Sequence, residues 1–525
     1  MRTGPGGTGP GGTGPGGTDP VGDDAGGLRR AIGLTALGTL IPGAGLTQTR
    51  HRRLGWVLVV VALLSAVALA AYVLTRGTLQ AALQLASRPG LLRTAAIVLG
   101  ALGLVWCASI VLTAVRARPA RLDRRRTGLL AAFTAVMVLL VAGLSYQLSE
   151  YATITGETVQ TVFGATPGQS VVRGEQRAGA QVVQGDDPWR DTPRVNVLLL
   201  GSDAGVGREG TRTDSMIVAS MDTKTGRTVL ISLPRSLERV PFPASNPLHA
   251  VYPRGYGVPR CLREGGDPCL LNAVWAEADE YKAAHPGSFA GEPSPGRATI
   301  RDVIGETLGI RIDHTVVIDL KGFEQLVDAM GGIDLNVQLG PSGRLPIGGY
   351  FDAYRGRVVN NEGWFTAGRQ HLNGHLALWY ARARATDDDT YRMGRQRCVI
   401  RAVLDQVNPG SMITQYAKIA QIAQDNIYTD IPAGNLPAFV ELVQRVQSST
   451  IVSLPLTPPT VYAAAPNFAK IHTLVQAAIN PPPPPPAPKP SGTTSPAAPT
   501  TTTTTPSSGT TTATVGPDGQ VIDIC

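Results

Sequence analysis

Cysteine, histidine and lysine are the scarce chemistry-bearing residues of this chain. Five Cys and seven His in 525 residues provide no zinc-type pairing, because Cys261 and Cys269 have no second Cys or His pair to complete a tetrahedral set. Lysine is so sparse that arginine is the default base, so an arginine cluster is not a signal by itself. The formal charge of +8 comes mostly from Arg flanking apolar runs. With nothing resembling a helix-turn-helix, nucleic-acid binding is set aside. The "GPGGT" repeats in residues 1–27 have a glycine period of five, which excludes collagen, and almost nothing apolar, so this arm is expected to be disordered. Residues 479–525, opening on a proline run and continuing in threonine, form a second expected disordered tail with too little apolar material for a core.

Charge is nearly missing from three long runs, 54–75, 91–115 and 128–148. Each is about 20 residues or more, enough to cross a hydrocarbon layer of roughly 30 Å. Residues 28–149 are therefore read as a transmembrane region. An earlier stretch, 31–47, is shorter and interrupted at Pro42 and Gly43; a fourth span and a re-entrant turn are the two readings, the second favoured. Arg50, His51, Arg52 and Arg53 precede the first firm span. Arg116, Arg118, Arg121, Arg124, Arg125 and Arg126 lie between the second and third. The positive-inside tendency makes both loops cytoplasmic and places everything after residue 150 outside a cell membrane crossed several times. No cleavable signal peptide precedes the spans, so the first span is expected to direct export. In an oxidising outer compartment Cys261 and Cys269 permit a disulfide worth roughly 2.5 kcal/mol, two free thiols being the alternative.

Beyond a polar stalk over 150–192, residues 193–478 read as one globular α/β domain. "RVNVLLL" at 194–200 is a nearly continuous apolar run, as for a strand covered on both faces. "SMIVASMD" and "TVLISL" follow as strands, and "TVVIDL", "KGFEQLVDAM" and "IDLNV" spell a βαβ-like strand–helix–strand unit. The fold class is α/β, a three-layer α/β/α sandwich with a mixed central sheet behind the multi-span helical region.

The densest charge lies in "WYARARATDDDTYRMGRQRCVI", residues 379–400. Val399, Val403 and Val407 recur at helical spacing, predicting a helix over about 390–407 with one face in the core. Stepping back along that face reaches Arg395 or Gln396 and then Arg392, so guanidinium groups point where the helix buries itself. Unpaired desolvation costs several kcal/mol, so something anionic must meet them. Asp387, Asp388 and Asp389 are one candidate, as ion-pair partners and helix caps. A bound phosphate or pyrophosphate is the other, because Arg382 and Arg384 project to one face if their segment is extended, beside a helix amino terminus. Asp203 follows the first strand, Arg212 and Asp214 stand just before the next, and Arg235 follows the third. Strand ends of an open α/β sheet are where ligands gather. Carboxylates beside phosphate-binding Arg suggest Mg²⁺, with Mn²⁺ as a substitute, bridging protein and phosphate.

"NVLLLGSD", "TRTDSMIVASMD", "ISLPRSL", "TVVIDLKGFEQLVDAMGGIDLNV", "LNGHLALWYARAR" and "DTYRMGRQRCVI" together resemble the successive motifs of the LytR-CpsA-Psr family, in order over about 193–405. The resemblance implies a membrane-anchored phosphotransferase that attaches a polyprenyl-pyrophosphate-linked glycopolymer to peptidoglycan through a phosphodiester. It leaves the polymer open among arabinogalactan, capsular and teichoic types. It makes Asp203 and Asp214 metal and base carboxylates, and Arg212, Arg235, Arg382, Arg384 and Arg392 a pyrophosphate clamp joined by Gln396, with Asp389 and Arg395 in support. Asp203, Asp214, Arg384 and Arg392 are the expected catalytic set. Ser236, Leu270 and Gly205 depart from residues common at those positions in the family. Two alternatives share the same residues: a pyrophosphatase that gives the donor's phosphate to water, and a non-catalytic envelope-binding or regulatory protein.

Overall fold

The computed structural model describes residues 20–76, 89–119, 122–163, 188–203, 213–257, 269–406, 416–481 and 513–514. The chain divides into two compact units, residues 1–81 with 90–153, and residues 82–89 with 154–525.

In the first unit, α1 (Pro20–Leu40) already takes up residues 20–27, which were expected to be disordered; 1–19 lie outside the described residues. The 31–47 stretch breaks after Leu40 and resumes as a short 3-10 turn, Ala44–Gln48. At the break, Gly43 has φ 82°, and a Cβ there would lie 2.5 Å from Leu58 Cβ, so only glycine fits the reversal. Three further helices follow: α2 (Arg52–Arg76), α3 (Pro89–Ala117) and α4 (Arg124–Phe163). Among the described residues these three, and not the 31–47 stretch, are long and apolar enough to cross a membrane. Val57, Leu63, Leu64 and Leu69 of α2 stand exposed, as on a helix that is apolar all round and covered by lipid. Helix α4 continues to Phe163, so the expected stalk begins as helix; 164–187 lie outside the described residues.

The second unit is built on a mixed seven-stranded sheet. Its strands are β1 (Arg194–Ser202), β2 (Thr213–Asp222), β3 (Thr228–Ser232), β4 (His314–Asp319), β9 (Ile427–Thr429), β10 (Ile451–Pro455) and β11 (Ala513–Thr514). The order is β11-β10-β3-β2-β1-β4-β9, with β1 antiparallel to β2 and parallel to β4. Of the expected tail, residues 479–481, which begin with the last residue of a helix ending at Ile479, and β11 are described, β11 as a two-residue strand parallel to β10.

Val195, Leu198, Leu200, Val218 and Ile231 are at most 1% exposed, the signature of strands covered on both faces. One face packs Leu198, Val218 and Ile231 against α5 (Val274–Ala284), α6 (Pro295–Leu308) and α12 (Phe468–Ile479). The other packs Val195, Ile217 and Leu230 against α11 (Leu436–Gln447) and Trp189, whose indole donates to Ala438 O at 3.1 Å. This is the expected α/β/α sandwich.

The strand–helix–strand order after β4 also holds, through α7 (Leu320–Met330) to β5 (Ile333–Val337). The βαβ unit does not, because β5 leaves the central sheet and pairs antiparallel with β8 (Gly368–Leu372). The alternation of β5 shows why: Ile333, Leu335 and Val337 are buried, while Asp334 and Asn336 are exposed. Such a strand needs one wet face. A separate hairpin, β6 (Pro346–Asp352) and β7 (Arg357–Trp364), stands beside it. Helices α8 (Gly374–Arg382), α9 (Asp389–Gln406) and α10 (Tyr416–Asn426) complete the unit.

Candidate active site

The register of β1 and β2 places the first carboxylates. Ser202 pairs with Thr213 while Gly201 pairs with Ser215, so Asp214 is the extra residue of a β-bulge within β2 rather than a residue before it. Bulges re-aim side chains at sheet ends beside active sites. Asp203 stands directly beyond the Ser202–Thr213 pair, at the carboxyl end of β1. Arg235, three residues past β3, donates through Nη1 to Asp214 Oδ1 at 2.6 Å. Both side chains are 22% exposed, so this pair lies at a rim. Arg212 lies outside the described residues.

Helix α9 brings the late arginines to the same rim. Its start at Asp389 follows from Asp388, whose carboxylate accepts from the backbone N–H of Thr390 at 2.9 Å and of Tyr391 at 3.3 Å. Arg392, Arg395 and Gln396 are 3%, 2% and 8% exposed, which bears out the core-facing reading of the sequence. Arg392 donates through Nε to Asp389 Oδ1 at 2.8 Å and through Nη1 to the Asp214 carbonyl at 2.7 Å. Gln396 Oε1 accepts from Ser215 Oγ at 3.2 Å. One guanidinium therefore ties the helix start to the bulge that carries Asp214. Asp389 Oδ2 is buried without a hydrogen-bond partner among the described residues, an unsatisfied oxygen beside Arg392.

Arg395 serves the fold instead. It donates to Asp387 at 2.6 and 3.1 Å, to the Tyr380 carbonyl at 3.0 Å and to the Ala383 carbonyl. Those carbonyls belong to the end of α8 and the residue after it, where backbone acceptors lack intrahelical donors. The aspartates that the sequence offers as ion-pair partners divide the work: Asp387 neutralises Arg395, and Asp389 holds Arg392.

The expected extended segment through Arg382 and Arg384 is not extended. Arg382 is the last residue of α8, with its guanidinium 5.5 Å from the Trp379 ring centroid, because the apolar spacing of Leu376, Ala377 and Tyr380 carries helix through it. Ala383 then turns the chain at ψ 133°. Arg384 is exposed and forms no ion pair with the described residues.

Beside this segment a cavity of about 750 Å³ opens between the β6–β7 hairpin and residues 385–388. Arg344, Phe351, Arg357, Trp364 and Thr386 are among its lining. Arg344 lies over the Trp364 ring at 4.2 Å.

Among the described residues no group of three or more His, Cys, Asp and Glu stands together as a metal cage. Asp203 and Asp214 at the strand ends are the carboxylates that could hold a hard cation such as Mg²⁺. Asp214 has Arg235 on Oδ1, which leaves Oδ2. Of the cysteines, Cys269 and Cys398 are disulfide-bonded and Cys107 is free; Cys261 lies outside the described residues.

The model of the LytR_cpsA_psr family matches residues 168–468. The polyisoprenyl-teichoic acid–peptidoglycan teichoic acid transferase TagV of Bacillus subtilis is 26% identical over 276 residues, 52% of this chain and 59% of that protein. Biofilm regulatory protein A of Streptococcus mutans is 29% identical over 257 residues, 47% of this chain and 52% of that protein. The chain thus spans less than two thirds of the length of these relatives. Among solved structures, B. subtilis TagV is similar at 22% identity and TM-score 0.35, covering 55% of this chain and 98% of that one. A structure described as TagT bound to LIIa-WTA gives 21% and 0.37, covering 59% and 98%. With a family match over more than half its length, this chain belongs to the LytR-CpsA-Psr family.

Proposed function

We propose that this protein is a membrane-anchored phosphotransferase that joins a polyprenyl-pyrophosphate-linked glycopolymer to peptidoglycan through a phosphodiester. The observation that carries the reading is the convergence of Asp214, Arg235, Asp389 and Arg392 at one rim of the sheet, with Arg384 exposed nearby in sequence. The names of the TagV and TagU relatives as teichoic acid transferases support it. The three membrane-length helices support a donor that stays in the bilayer while the domain acts outside it.

In the reaction a peptidoglycan hydroxyl, the muramic acid C6 hydroxyl, attacks the glycan-side phosphorus in line. A new P–O bond forms, the bridging P–O bond breaks, and polyprenyl phosphate leaves with the bridging oxygen. The proton goes to the Asp203 or Asp214 carboxylate. Such transfers depend on positioning and charge neutralisation. Arg392, tied between Asp389 and the bulge, is pre-organised for that work, and Arg235 fixes Asp214. Mg²⁺ held by Asp203 and Asp214 would supply further positive charge at the donor phosphates. The open cavity lined by Phe351, Trp364 and Arg357 offers aromatic faces that suit a sugar acceptor, which supports it as the place of the acceptor glycan.

The test uses the full-length protein in lipid nanodiscs with a radiolabelled polyprenyl-pyrophosphate oligosaccharide, Mg²⁺ and uncrosslinked peptidoglycan chains. Label joined covalently to peptidoglycan, and lost in Arg384→Ala, which keeps its melting temperature because Arg384 is exposed, and in an Arg392→Ala variant shown to be folded at the assay temperature, is the expected result. Release only as free sugar phosphate would make the protein a pyrophosphatase. No turnover with tight donor binding would make it a non-catalytic binding protein.

A further inference from the structure

The cysteines of the described residues do not account for one another. Cys107 is free, while Cys269 and Cys398 are disulfide-bonded. The other two of the five, Cys261 and Cys525, lie outside the described residues. Cys269 and Cys398 do not bond each other, because the central sheet stands between them. Cys269 packs against the cluster of Leu198, Val218 and Ile231 on one face. Cys398 belongs to α9, which lies on the opposite face. There Ile400 and Leu404 pack against the cluster of Val195, Ile217 and Leu230, and Arg397 Nη1 donates to Ser232 Oγ at 3.3 Å. Even adjacent layers stand about 10 Å apart, and a disulfide needs Cα atoms within about 7 Å. Each therefore takes one of Cys261 and Cys525.

The placement of β11 decides between the two assignments. Cys261 stands eight residues before Cys269, and closing so short a loop costs little chain entropy. To reach Cys398 instead, that loop would have to cross to the far face of the sheet. Strand β11 (Ala513–Thr514) extends the sheet edge beside β10, and α9 lies against β10. Eleven residues lead from Thr514 to Cys525, enough to span roughly 36 Å when extended, several times the separation of adjacent layers. Their composition also fits. After a long run of Thr, Pro and Gly, residues 521–525 read "VIDIC", an apolar alternation with something to bury. On α9, Cys398 is 3% exposed, yet it belongs to neither apolar cluster that takes its neighbours Val399 and Ile400.

We propose that Cys525 is the partner of Cys398, so that residues 515–525 dock on α9 and a disulfide closes the proline–threonine tail into a covalent loop. The bond ties the helix that carries Arg392 to the β10–β11 edge of the sheet. Two thiols join, two protons leave, and two electrons pass by exchange to the disulfide of a thiol-oxidising protein. Such an oxidant rests on the outer location of the domain proposed above. The test uses full-length protein exported by a bacterial host, alkylated with iodoacetamide in denaturant without reduction, digested and mapped by mass spectrometry. The wild type is expected to carry one alkylated cysteine, Cys107, and a cross-linked peptide pair holding Cys398 and Cys525. In Cys525→Ser, Cys398 becomes alkylated while Cys261 and Cys269 stay joined, and the α/β melting transition falls by several degrees because the unfolded chain loses a long loop constraint. A Cys525→Ser protein in which Cys398 stays blocked, or in which Cys269 becomes alkylated, overturns the pairing. If that variant does not accumulate, a wild-type chain with a specific protease site inserted after Thr505 replaces it. Once cut, its fragment bearing Cys525 should stay attached on a denaturing gel until reductant is added, and release without reductant overturns the pairing. Free Cys398 and Cys525 beside a joined Cys261 and Cys269 overturn it too, while the outer location stands. Five free thiols overturn both.

Discussion

Removing the Asp387 carboxylate should unbalance the structural half of the arginine cluster and leave the clamp residues in place. Arg395 and Asp387 have side-chain exposures of 2% and 0% and share two hydrogen bonds at 2.6 and 3.1 Å. In Asp387→Leu the guanidinium keeps the Tyr380 and Ala383 carbonyls but loses its only charged partner among the described residues. Breaking one side of such a buried pair costs about 3–5 kcal/mol. Domains are stable by only about 5–15 kcal/mol, and each kcal/mol moves the midpoint of a domain near this size by roughly 2–4 °C. The α/β transition should therefore fall by on the order of 6–20 °C. The double variant Asp387→Leu with Arg395→Met should recover most of the loss, because two apolar side chains leave no uncompensated charge, at the expense of undonated carbonyls at the end of α8. Differential scanning fluorimetry of the full-length protein reads both. A single variant that melts within 2 °C of the wild type, or a double variant no better than the single, would refute the argument.

Other outcomes follow from particular contacts. A Cβ on Gly374 would meet the Glu324 carbonyl, so Gly374→Ala should push α8 away from α7, lowering stability and loosening Arg382; melting and donor affinity check the two effects. Burial works against the Asp222 carboxylate, but hydrogen bonds from Thr225 and Lys224 and the charge of Arg194 outweigh it and hold its pKa below the ordinary carboxylate range. Its contribution is therefore present above about pH 4 and lost as pH falls through the depressed value, so the stability gap between wild type and Asp222→Asn should close on acidification from pH 6 to pH 3. Trp364→Ala should raise KM for the peptidoglycan acceptor several-fold and leave KM for the polyprenyl donor unchanged in steady-state assays. Equal effects on both would remove the acceptor from that cavity.

Much of this architecture is legible in the residues. The three membrane-length helices are readable because roughly 20 uncharged residues have few other uses. The α9 helix is readable because Val399 and Val403 recur at 3.6-residue spacing, and the same count places Arg392, Arg395 and Gln396 in the interior. Arg382 was misjudged for the converse reason: "YARAR" viewed alone suits a strand, while the apolar spacing through Leu376 and Tyr380 continues the helix to it. Strand β5 follows β4 and a helix in a βαβ-like order, yet its wet face excludes it from a sheet covered on both sides. Nothing local marks the bulge at Asp214, which depends on how β1 and β2 align.

What the sequence by itself determined is which side of each element is apolar, and so that several guanidinium groups must be buried. Periodicity carries that much, because it is a property of one element. Which carboxylate meets which arginine was decided only in the tertiary structure. Arg392 and the Asp214 carbonyl are 178 positions apart, and Arg397 and Ser232 are 165 apart. Over such separations the partner is set by the packing of α9 across β2 and β3. That packing compensates Arg395 and Arg392 with Asp387 and Asp389, and leaves Arg397 with a serine hydroxyl.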